Sequence, residues 1–405
     1  MLPVLVPDAV GIVRSLGDVG IPSIVVSEHE ENPMFWSRRC VARAVMPSPR
    51  DFPADAARAI SEAAREFPDR PVVMTGRDPD ALIVSRNRED FSRHMRIKTA
   101  PAELMETLTD KRKFADLAER NGIPTPRSFA PADVEELMRL SEELSFPCLL
   151  KPHAQELWRR DDMYTIVGRW KKAYLARDHA DLVRAWTEIS KIDRRFLIQE
   201  YIPGGDDTIF ELQAYCDRPG HVAGFFLDRK IRTFPAFFGQ GCYIRSWRDP
   251  AIEKVAVEAL EKIGYLGPAN IDVKRDPTTG KVAVLEINPR FSLWCHLASR
   301  CGVNLPHAMY NDCTGLPLPR LVQKPTETRA LHAYFDFLSY RQYRKTGEWS
   351  FFSWIGSLLY LRMTFYRWDF RDPLPLIRTF FTHVGLHAKW FSERLIGNRD
   401  TRHSP

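Results

Sequence analysis

The sequence predicts an α/β protein in which a small domain with a parallel sheet precedes a larger mixed α+β domain and a helical C-terminal extension. In the first hundred residues, short β-rich runs alternate with helical patterns, as in parallel sheets covered by helices on both faces. Pro124 and Pro126 then mark a boundary, because proline favours extended structure in the residue before it. Further on, a long amphipathic helix precedes two strands joined by a turn-rich segment at 276–280, which indicates a β-hairpin.

Length and composition indicate an ordinary globular protein. The chain has 405 residues, of which 44% are hydrophobic and 27% charged, enough for two or three domains with buried cores. These proportions exclude a disordered tail protein, a collagen-like repeat and a membrane protein with many spans. A net charge of +6 without a recognition motif does not indicate a nucleic-acid partner.

Cysteine usage and hydropathy indicate the compartment. The seven cysteines are odd in number and lack the spacing of zinc or redox motifs, so we expect reduced thiols. We expect no signal peptide, because acidic, glycine and proline residues interrupt the first 24 residues. The longest uncharged stretch that could suggest a membrane span, at 349–361, has 13 residues. A membrane span needs about 20. We therefore expect a cytoplasmic protein that is not secreted and has no transmembrane helix.

The first domain is expected to span residues 1–108. Its pattern predicts strands at 4–6, 24–26 and 72–74 and helices at 9–16, 54–66 and 87–95. Parallel sheets of this kind often bind ligands at the carboxyl ends of their strands. However, residues 7–11 lack the G-x-G-x-x-G pattern, so a dinucleotide site is not expected there.

The second domain is expected at 109–318, with a smaller lobe at about 125–203. Its pattern predicts helices at 110–120, 133–144 and 250–263, and strands ending at 152 and spanning 173–176, 196–201, 209–217, 222–227, 270–274 and 282–288. The helix at 250–263 is the clearest, because Asp249 can cap it, Pro250 suits its first position and Gly264 suits its end.

The hairpin at 270–288 carries several oxygen-bearing side chains. Residues two apart share a face of a strand, so Glu286 and Asn288 point the same way. A hairpin centred on Thr279 places Asp272 opposite Glu286, on that face. Two carboxylates and an amide oxygen suit Mg²⁺, which is usually shared with substrate phosphates. The same residues would also fit the solvated face of an edge hairpin, and the spacing alone leaves both interpretations open.

The hairpin resembles the metal-binding end of the ATP-grasp ligases, through Asp272 and, after thirteen intervening residues, the run Glu286-Ile287-Asn288-Pro289-Arg290. The resemblance covers roughly residues 110–318. The other motifs of that superfamily precede the hairpin in the expected order: Thr109-Asp110-Lys111, Phe146-Pro147-Cys148-Leu149-Leu150-Lys151-Pro152, Trp170-Lys171-Lys172-Ala173 and Gln199-Glu200-Tyr201-Ile202-Pro203-Gly204. Each motif alone is weak evidence for the superfamily, whereas the whole set is specific to it. The nearest likeness is to carboxylate–amine ligases of the D-aspartate ligase kind, which implies an ATP-grasp fold after the small α/β domain.

The resemblance also implies ATP and Mg²⁺, with Mn²⁺ as a substitute, and a set of binding residues. It implies metal ligands at Asp272, Glu286 and Asn288, phosphate lysines at Lys111, Lys151 and Lys172, an adenine-binding hinge at Gln199, Glu200, Tyr201 and Ile202, and a ribose carboxylate at Asp207. Lysines would offset the charge of the triphosphate. Any one of these lysines could instead be a solvated surface charge, and Asp207 could be the tip of a turn.

The implied reaction joins a small-molecule carboxylate to an amine. A carboxylate resists attack by an amine, and transfer of a phosphoryl group to it makes a reactive acyl phosphate through positioning and charge neutralisation. We expect Arg290 to hold the transferring phosphoryl group and Lys230 to face the phosphates or the substrate. A structural salt bridge for Arg290 and an exposed basic strand for Lys230 are the alternatives. The substrates would be amino acids or peptide-like compounds, and lipid-linked compounds would also fit.

Two other functions stay open at this point. One is carboxylation through carboxyphosphate. The other is a non-catalytic nucleotide-binding module, because the loop over the phosphates is usually glycine-rich and here Gly168 is the only glycine between Lys151 and Lys172. For the same reason, Lys171 competes with Lys172 as the second phosphate lysine.

The C-terminal extension, residues 319–405, is expected to be mostly helical. Residues 341–405 contain 14 aromatic, 11 basic and 5 acidic residues. Aromatic and basic residues together suit the surface of an anionic membrane or a lipid-linked substrate. We therefore hypothesise a peripheral membrane contact, the alternative being a helical appendage packed on the rest of the protein.

Overall fold

The structure, a computed structural model, describes residues 2–7, 9–168 and 171–379. Trp170, which belongs to one of the lysine motifs, and residues 380–405 of the predicted extension lie outside the described residues. Within the described residues, three sheets organise the fold: a four-stranded parallel sheet, a four-stranded antiparallel sheet and a mixed sheet of seven strands.

The first sheet lies in the N-terminal domain. Its elements are β1 (Val4–Pro7), α1 (Val10–Gly17), β2 (Ser23–Ser27), β3 (Cys40–Val45), α2 (Pro53–Arg65), β4 (Val72–Val73), α3 (Asp78–Arg86) and α4 (Arg88–Phe91). The strands pair in parallel in the order β3-β2-β1-β4, as expected for alternating strands and helices. The helix expected at 87–95 is shorter, and α3, which begins with Asp78-Pro79 and so resembles a turn in sequence, was not predicted.

Two helices lead from this domain into the second lobe, and an antiparallel sheet follows them. The elements are α5 (Ala102–Thr109), α6 (Lys111–Arg120), β5 (Ser128–Phe129), α7 (Val134–Glu143), β6 (Cys148–Pro152), α8 (Asp161–Val167), β7 (Tyr174–Ala176), α9 (His179–Ile192) and β8 (Phe196–Glu200). The strand order is β5-β8-β6-β7. Apolar residues of the helices pack on this sheet in a core of its own, so the small lobe is a separate layer, and Lys151 lies on its strand β6.

The large sheet carries the hairpin. Its elements are β9 (Ile209–Arg218), β10 (His221–Phe234), β11 (Gln240–Trp247), α10 (Pro250–Lys262), β12 (Gly267–Arg275), β13 (Val282–Asn288), α11 (Cys295–Arg300), α12 (Leu305–Thr314), β14 (Arg329–Leu331), α13 (Ala333–Thr346), α14 (Phe351–Leu358) and β15 (Met363–Phe365). The strand order is β13-β12-β9-β10-β11-β14-β15. Helix α10 begins as predicted, with the Asp249 carboxylate accepting from the amides of Ala251 and Ile252.

The described part of the C-terminal extension packs on this sheet through helices and two short strands. Strands β14 and β15, which the sequence pattern did not predict, extend the sheet beyond β11. Arg232 of β10 is fully buried and donates to Asp336 of α13 at 2.7 Å, and its guanidinium lies 4.7 Å from the ring centre of Tyr243 and 4.4 Å from that of Trp349. Across the described residues, no helix is both long and apolar enough to cross a membrane. All seven cysteines are free thiols.

The N-terminal domain and the large sheet share one apolar core. Ile12 and Leu16 of α1 are buried in the same cluster as Trp294, Leu297 and Tyr310, which lie in or beside α11 and α12. Burial of apolar surface is the main favourable term in such contacts. The contact fixes the N-terminal domain against the end of the hairpin, where a cleft remains between them.

Candidate active site

A small cavity and a larger cleft meet at the hairpin. The cavity, about 110 Å³, lies between the small lobe and the large sheet. The cleft, about 710 Å³, continues to the N-terminal domain. Both are lined by the side chains of Lys111, Lys172, Lys230, Asp272 and Glu286. The groups that the sequence singled out therefore converge where the two spaces join.

Strand pairing aligns the hairpin's polar side chains as the sequence predicted. Asp272 pairs with Glu286, and Asn270 with Asn288. On its other edge, Asp272 pairs with Glu211 of β9, which in turn pairs with Asp228 of β10. A row of four carboxylates thus crosses four adjacent strands. Such a row needs cations, because like charges side by side in a sheet are destabilising.

Lys230 supplies one of those cations from β10. Its Nζ lies 3.2 Å from Glu211 Oε1 and 3.2 Å from Asp272 Oδ1, and only 4% of the side chain is exposed. Burial would lower the pKa of Lys230, but Asp272 and Glu211 raise it above its ordinary value. Burial raises the pKa of Asp272. Lys230 is therefore a charged lysine held between two carboxylates, and the exposed basic strand is excluded.

Three more lysines surround Glu286. Lys111 Nζ lies 3.8 Å from Glu286 Oε2. Burial would raise the pKa of Glu286, but Lys111, Lys172 and Lys151 together hold it well below its usual range. Burial lowers the pKa of Lys172. Lys172 lines the cavity and the cleft, whereas Lys171 lines neither of them.

The segment at the end of β8 that the sequence predicts as the hinge lines the cavity. Lys151 Nζ donates to Gln199 Oε1 at 2.7 Å, and burial together with Lys111 lowers the pKa of Lys151 to about 8. The hinge residues Gln199, Glu200, Tyr201 and Ile202 share the cavity wall with the apolar side chains of Leu149, Ile209, Phe237, Phe238 and Leu285. An apolar slot beside a strand end, with lysines at its mouth, suits a planar base joined to phosphates.

Sequence reasoning missed one lysine of this cavity. Lys274 Nζ donates to the carbonyl of Gly204 at 3.0 Å and lies 4.9 Å from the ring centre of Tyr201. Burial lowers the pKa of Lys274 to about 8. A signal was present, because Lys274 lies two residues after Asp272 and so shares its face of β12.

Two residues lie apart from the others. Asp207, the predicted ribose carboxylate, has a 64% exposed side chain paired with Arg229 at 2.9 Å, and it does not line the cavity. Arg232, which alternates with Lys230 along β10, is committed to Asp336. Asp336 lies in the C-terminal extension, so strand alternation alone could not predict that Arg232 pairs with it.

Arg290 connects the hairpin to the N-terminal domain. Its Nε donates to Asp78 Oδ1 at 2.8 Å, and its Nη2 donates to Asn288 Oδ1 at 3.3 Å. Burial would lower the pKa of Arg290, but Asp78 raises it. Asp78 lies 212 residues earlier in the chain, so no local pattern could pair it with Arg290. The guanidinium lines the cleft beside the carboxylate row.

The donor set at this junction fits Mg²⁺ bound together with a nucleotide. Among the described residues, no group of three or more His, Cys, Asp or Glu side chains is arranged to hold a metal alone. Mg²⁺ usually takes one or two carboxylates, phosphate oxygens and waters, and Asp272, Glu286 and Asn288 offer that set. Beside them, the amide oxygen of Asn270 is buried and accepts no hydrogen bond within the described residues.

Comparison with known proteins finds ligases that are similar to part of this chain in sequence. No protein-family model matches it. It is 28% identical over 244 residues to the D-aspartate ligase of Enterococcus faecium, covering 58% of this chain and 56% of that relative. It is 26% identical over 193 residues to a D-alanine–D-alanine ligase of Stutzerimonas stutzeri, covering 47% of this chain and 56% of that relative. The chain thus spans about half the length of these curated relatives.

Solved structures give the same fold at lower identity. Biotin carboxylase of Campylobacter jejuni superposes with a TM-score of 0.63 at 17% identity, covering 81% of this chain and 74% of that one. N5-carboxyaminoimidazole synthetase of Staphylococcus aureus with ADP gives 0.62 at 14%, covering 86% and 87%. An L-amino acid ligase of Bacillus licheniformis gives 0.54 at 17%, covering 77% and 74%. The chain has the ATP-grasp fold and is similar in sequence to carboxylate–amine ligases of the D-aspartate ligase kind.

Proposed function

We propose that the protein is an ATP-dependent carboxylate–amine ligase that forms an amide bond through an acyl phosphate. The observation that carries this proposal is the pairing of Asp272 with Glu286 at the junction of cavity and cleft, within reach of Lys111 and Lys230. Phosphoryl transfer depends on positioning and on neutralising charge, and this arrangement supplies both. The named activities of the D-aspartate ligase and D-alanine–D-alanine ligase relatives support it.

The proposal assigns roles to most of the residues that line the cavity and the cleft. The hinge and the apolar slot hold adenine, Lys274 lies on the same wall, and Lys151 and Lys172 face the phosphates. Asp272, Glu286 and Asn288 would hold Mg²⁺ or Mn²⁺, which neutralises phosphate charge when bound. Arg290 presents a fixed guanidinium to the acid's carboxylate and to the transferring phosphoryl group, because Asp78 and Asn288 orient it from two sides.

Hydroxylamine tests this proposal before the amine is known. The protein is incubated with Mg·ATP, hydroxylamine and a panel of carboxylic amino acids and short peptides, and both hydroxamate and ADP are measured. We expect one acid class to give equal amounts of hydroxamate and ADP, because hydroxylamine attacks an acyl phosphate directly. AMP in place of ADP, or no hydroxamate with any acid, would contradict the proposal.

Carboxylation through carboxyphosphate is the second candidate. Likeness to biotin carboxylase and to N5-carboxyaminoimidazole synthetase favours it, although at 17% and 14% identity that likeness concerns the fold. Bicarbonate distinguishes the two functions: a carboxylase releases ADP with bicarbonate and no other acid, whereas the proposed ligase requires the carboxylic acid. Nucleotide binding without turnover on any panel would indicate a non-catalytic module.

We also propose that the C-terminal extension contacts an anionic membrane surface. Phe337 of α13, Trp354 and Phe351 of α14 form a chain of ring contacts with centroids 6.1 Å apart, and Phe352 beside them is 84% exposed. We call these four residues the aromatic patch. On α13, Arg341, Arg344 and Lys345 follow Phe337 at helical spacing and are exposed. Exposed aromatics beside cations fit an anionic interface, which could also present a lipid-linked substrate.

Vesicle flotation tests the membrane contact. We expect the protein to float with phosphatidylglycerol vesicles, and Phe352→Ser to reduce the bound fraction, because it removes the most exposed ring of the patch. Val41→Ser, on a 57% exposed valine of β3, is the matched control and should float unchanged. A protein that forms dimers in solution and does not float would assign the aromatic patch to a second copy instead.

A further inference from the structure

A third cavity adjoins the cleft and belongs to none of the roles assigned so far. It measures about 220 Å³ and lies between the end of β10, the start of β11 and the start of α13. Arg159, Lys172, Gln240 and Leu293 line both this space and the cleft, so the two adjoin at the phosphate lysine. We call it the side chamber. Asp272, Glu286, Asn288 and Arg290 line the cleft but not the side chamber.

One wall of the side chamber is apolar and aromatic. The rings of Phe234 and Phe335 are stacked with centroids 5.1 Å apart, and Phe335 also stacks on His332 at 4.2 Å. Leu293 and the buried Cys242 complete this wall. Burial lowers the pKa of His332 to about 4, so its ring is neutral at ordinary pH. The wall therefore offers flat apolar surface and no charge.

The side chamber also has a cationic wall. Arg159, Lys171 and Lys172 line it, and no described residue of the lining carries a carboxylate. Arg159 is exposed, and none of the ion pairs in the described part of the chain includes it. Lys172 also lies near Glu286, so the cations available to an anionic ligand here are Arg159 and Lys171, and guanidinium groups bind carboxylates in a bidentate manner. The side chamber thus pairs an apolar wall with an anion-binding wall.

We propose that the side chamber binds the amine substrate, and that this substrate is an amino acid with a large apolar or aromatic side chain. This inference rests on the ligase function proposed above. The side chain lies on Phe234 and Phe335, the carboxylate faces Arg159 and Lys171, and the amino group faces the cleft beside Lys172. The acid substrate lies in the cleft, because Arg290 and the metal-binding oxygens line only that space.

The bond changes follow from this placement. The neutral amine nitrogen attacks the acyl carbon, and the new C–N bond forms as the bond from that carbon to the phosphate oxygen breaks. The electron pair of that bond leaves with inorganic phosphate, which also takes the proton that the amine loses. No oxidant, reductant or further reactant is required.

Competing nucleophiles separate this inference from the ligase function. Hydroxylamine is too small to need the side chamber, so hydroxamate formation reports the acyl phosphate alone. With the acid that gives hydroxamate, we expect kcat/KM for phenylalanine or leucine to exceed that for glycine at least tenfold. Phenylethylamine, which lacks the carboxylate, should also fall at least tenfold below phenylalanine. Glycine as good as phenylalanine would overturn the inference and leave the ligase function intact.

A matched pair of variants on α13 tests the aromatic wall. Phe335→Ala should lower the ratio of amide to hydroxamate at least tenfold, because it removes the stacked ring. Tyr334→Ala, on the neighbouring residue that is 65% exposed and does not line the chamber, should leave that ratio unchanged. Equal losses of amide and hydroxamate in Phe335→Ala would indicate a structural role and contradict the proposal.

Calorimetry with phenylalanine tests the site without turnover. We expect the wild-type protein to bind phenylalanine and Lys171→Met to bind it at least tenfold more weakly. The affinity for phenylethylamine should be the same in both proteins. This readout holds even if no acid gives hydroxamate, since it needs no reaction. Wild-type binding that neither Lys171→Met nor Phe335→Ala weakens would place phenylalanine elsewhere and refute the proposal.

Discussion

At the scale of single residues, the site is a balance of buried charges. Four carboxylates lie side by side on β10, β9, β12 and β13, and Lys230 bridges two of them at 3.2 Å. Lys111, Lys151 and Lys172 keep Glu286 ionised, since they hold its pKa below the ordinary range. An ionised carboxylate at this place is what a metal–nucleotide complex requires. A substitution that removes one of these charges should therefore lower the rate of phosphoryl transfer more than it lowers the stability of the fold.

Glu286→Gln should lower Mg·ATP-dependent hydroxamate formation about 10²–10³-fold, the cost of losing a preorganised charge in a catalytic site. Gln keeps the shape of the side chain and removes its charge. The matched control is Asp276→Asn on the same hairpin, where the carboxylate only accepts hydrogen bonds from Thr278 and Thr279 in the turn. We expect the control to keep wild-type rates, and equal losses in both variants would show that the hairpin had merely been disturbed.

Nucleotide affinity should depend on the protonation of Lys151. Its pKa is lowered to about 8 in the free protein, and a bound triphosphate would raise that pKa again. Binding then takes up a proton above about pH 8, so affinity falls as the pH rises, by up to ~tenfold per unit for this one group. Lys151→Arg stays charged and should have a shallower pH profile, with Lys274 as the remaining contributor.

Calorimetry in buffers of different ionisation enthalpy measures this proton uptake directly. A profile for Lys151→Arg as steep as that of the wild type would show that Lys151 does not titrate on binding. Affinity that rises with pH would contradict the sign of the argument altogether.

At the scale of elements, sequence patterns predicted the segments whose signals are local. Helix α10 has its cap, its proline and its apolar stripe within fifteen residues. The pairing of Asp272 with Glu286 agrees with a hairpin centred on Thr279, but strand alternation did not predict the register shift that pairs Val273 with Val284 nearer the turn. Strands β14 and β15 have three residues each and exist because they pair with β11 and with each other. The ion pairs of Arg290 with Asp78 and of Arg232 with Asp336 also join residues that are far apart in the chain. Long-range pairing of short segments leaves no periodic signal to read.

The buried pair of Arg232 and Asp336 attaches α13 to β10. Asp336→Ala should lower the free energy of unfolding by about 3–5 kcal/mol, because the Arg232 guanidinium would stay buried without its partner. Chemical denaturation followed by circular dichroism measures the loss. Glu188→Ala, which removes an exposed pair with Lys191 on α9, should cost less than about 1 kcal/mol. Similar losses in the two variants would contradict the structural role of α13.

At the scale of the whole molecule, the N-terminal domain is part of the site as well as its neighbour. It shares a core with α11 and α12, and its Asp78 holds Arg290 in the cleft. Ile12→Ala should lower the free energy of unfolding by about 2–5 kcal/mol, the usual cost of a large truncation in a packed core. Because the core is shared, we expect tryptophan fluorescence and circular dichroism to report one coincident transition. Two separate transitions would show that the domains unfold independently.

The most direct test is a crystal structure with Mn²⁺ and a non-hydrolysable ATP analogue. We expect an anomalous peak about 2.1 Å from oxygens of Asp272, Glu286 and Asn288, with adenine in the slot beside Tyr201 and the phosphates between Lys151 and Lys172. A metal ion or nucleotide bound elsewhere, with the hairpin oxygens free of both, would contradict the proposed role of this site.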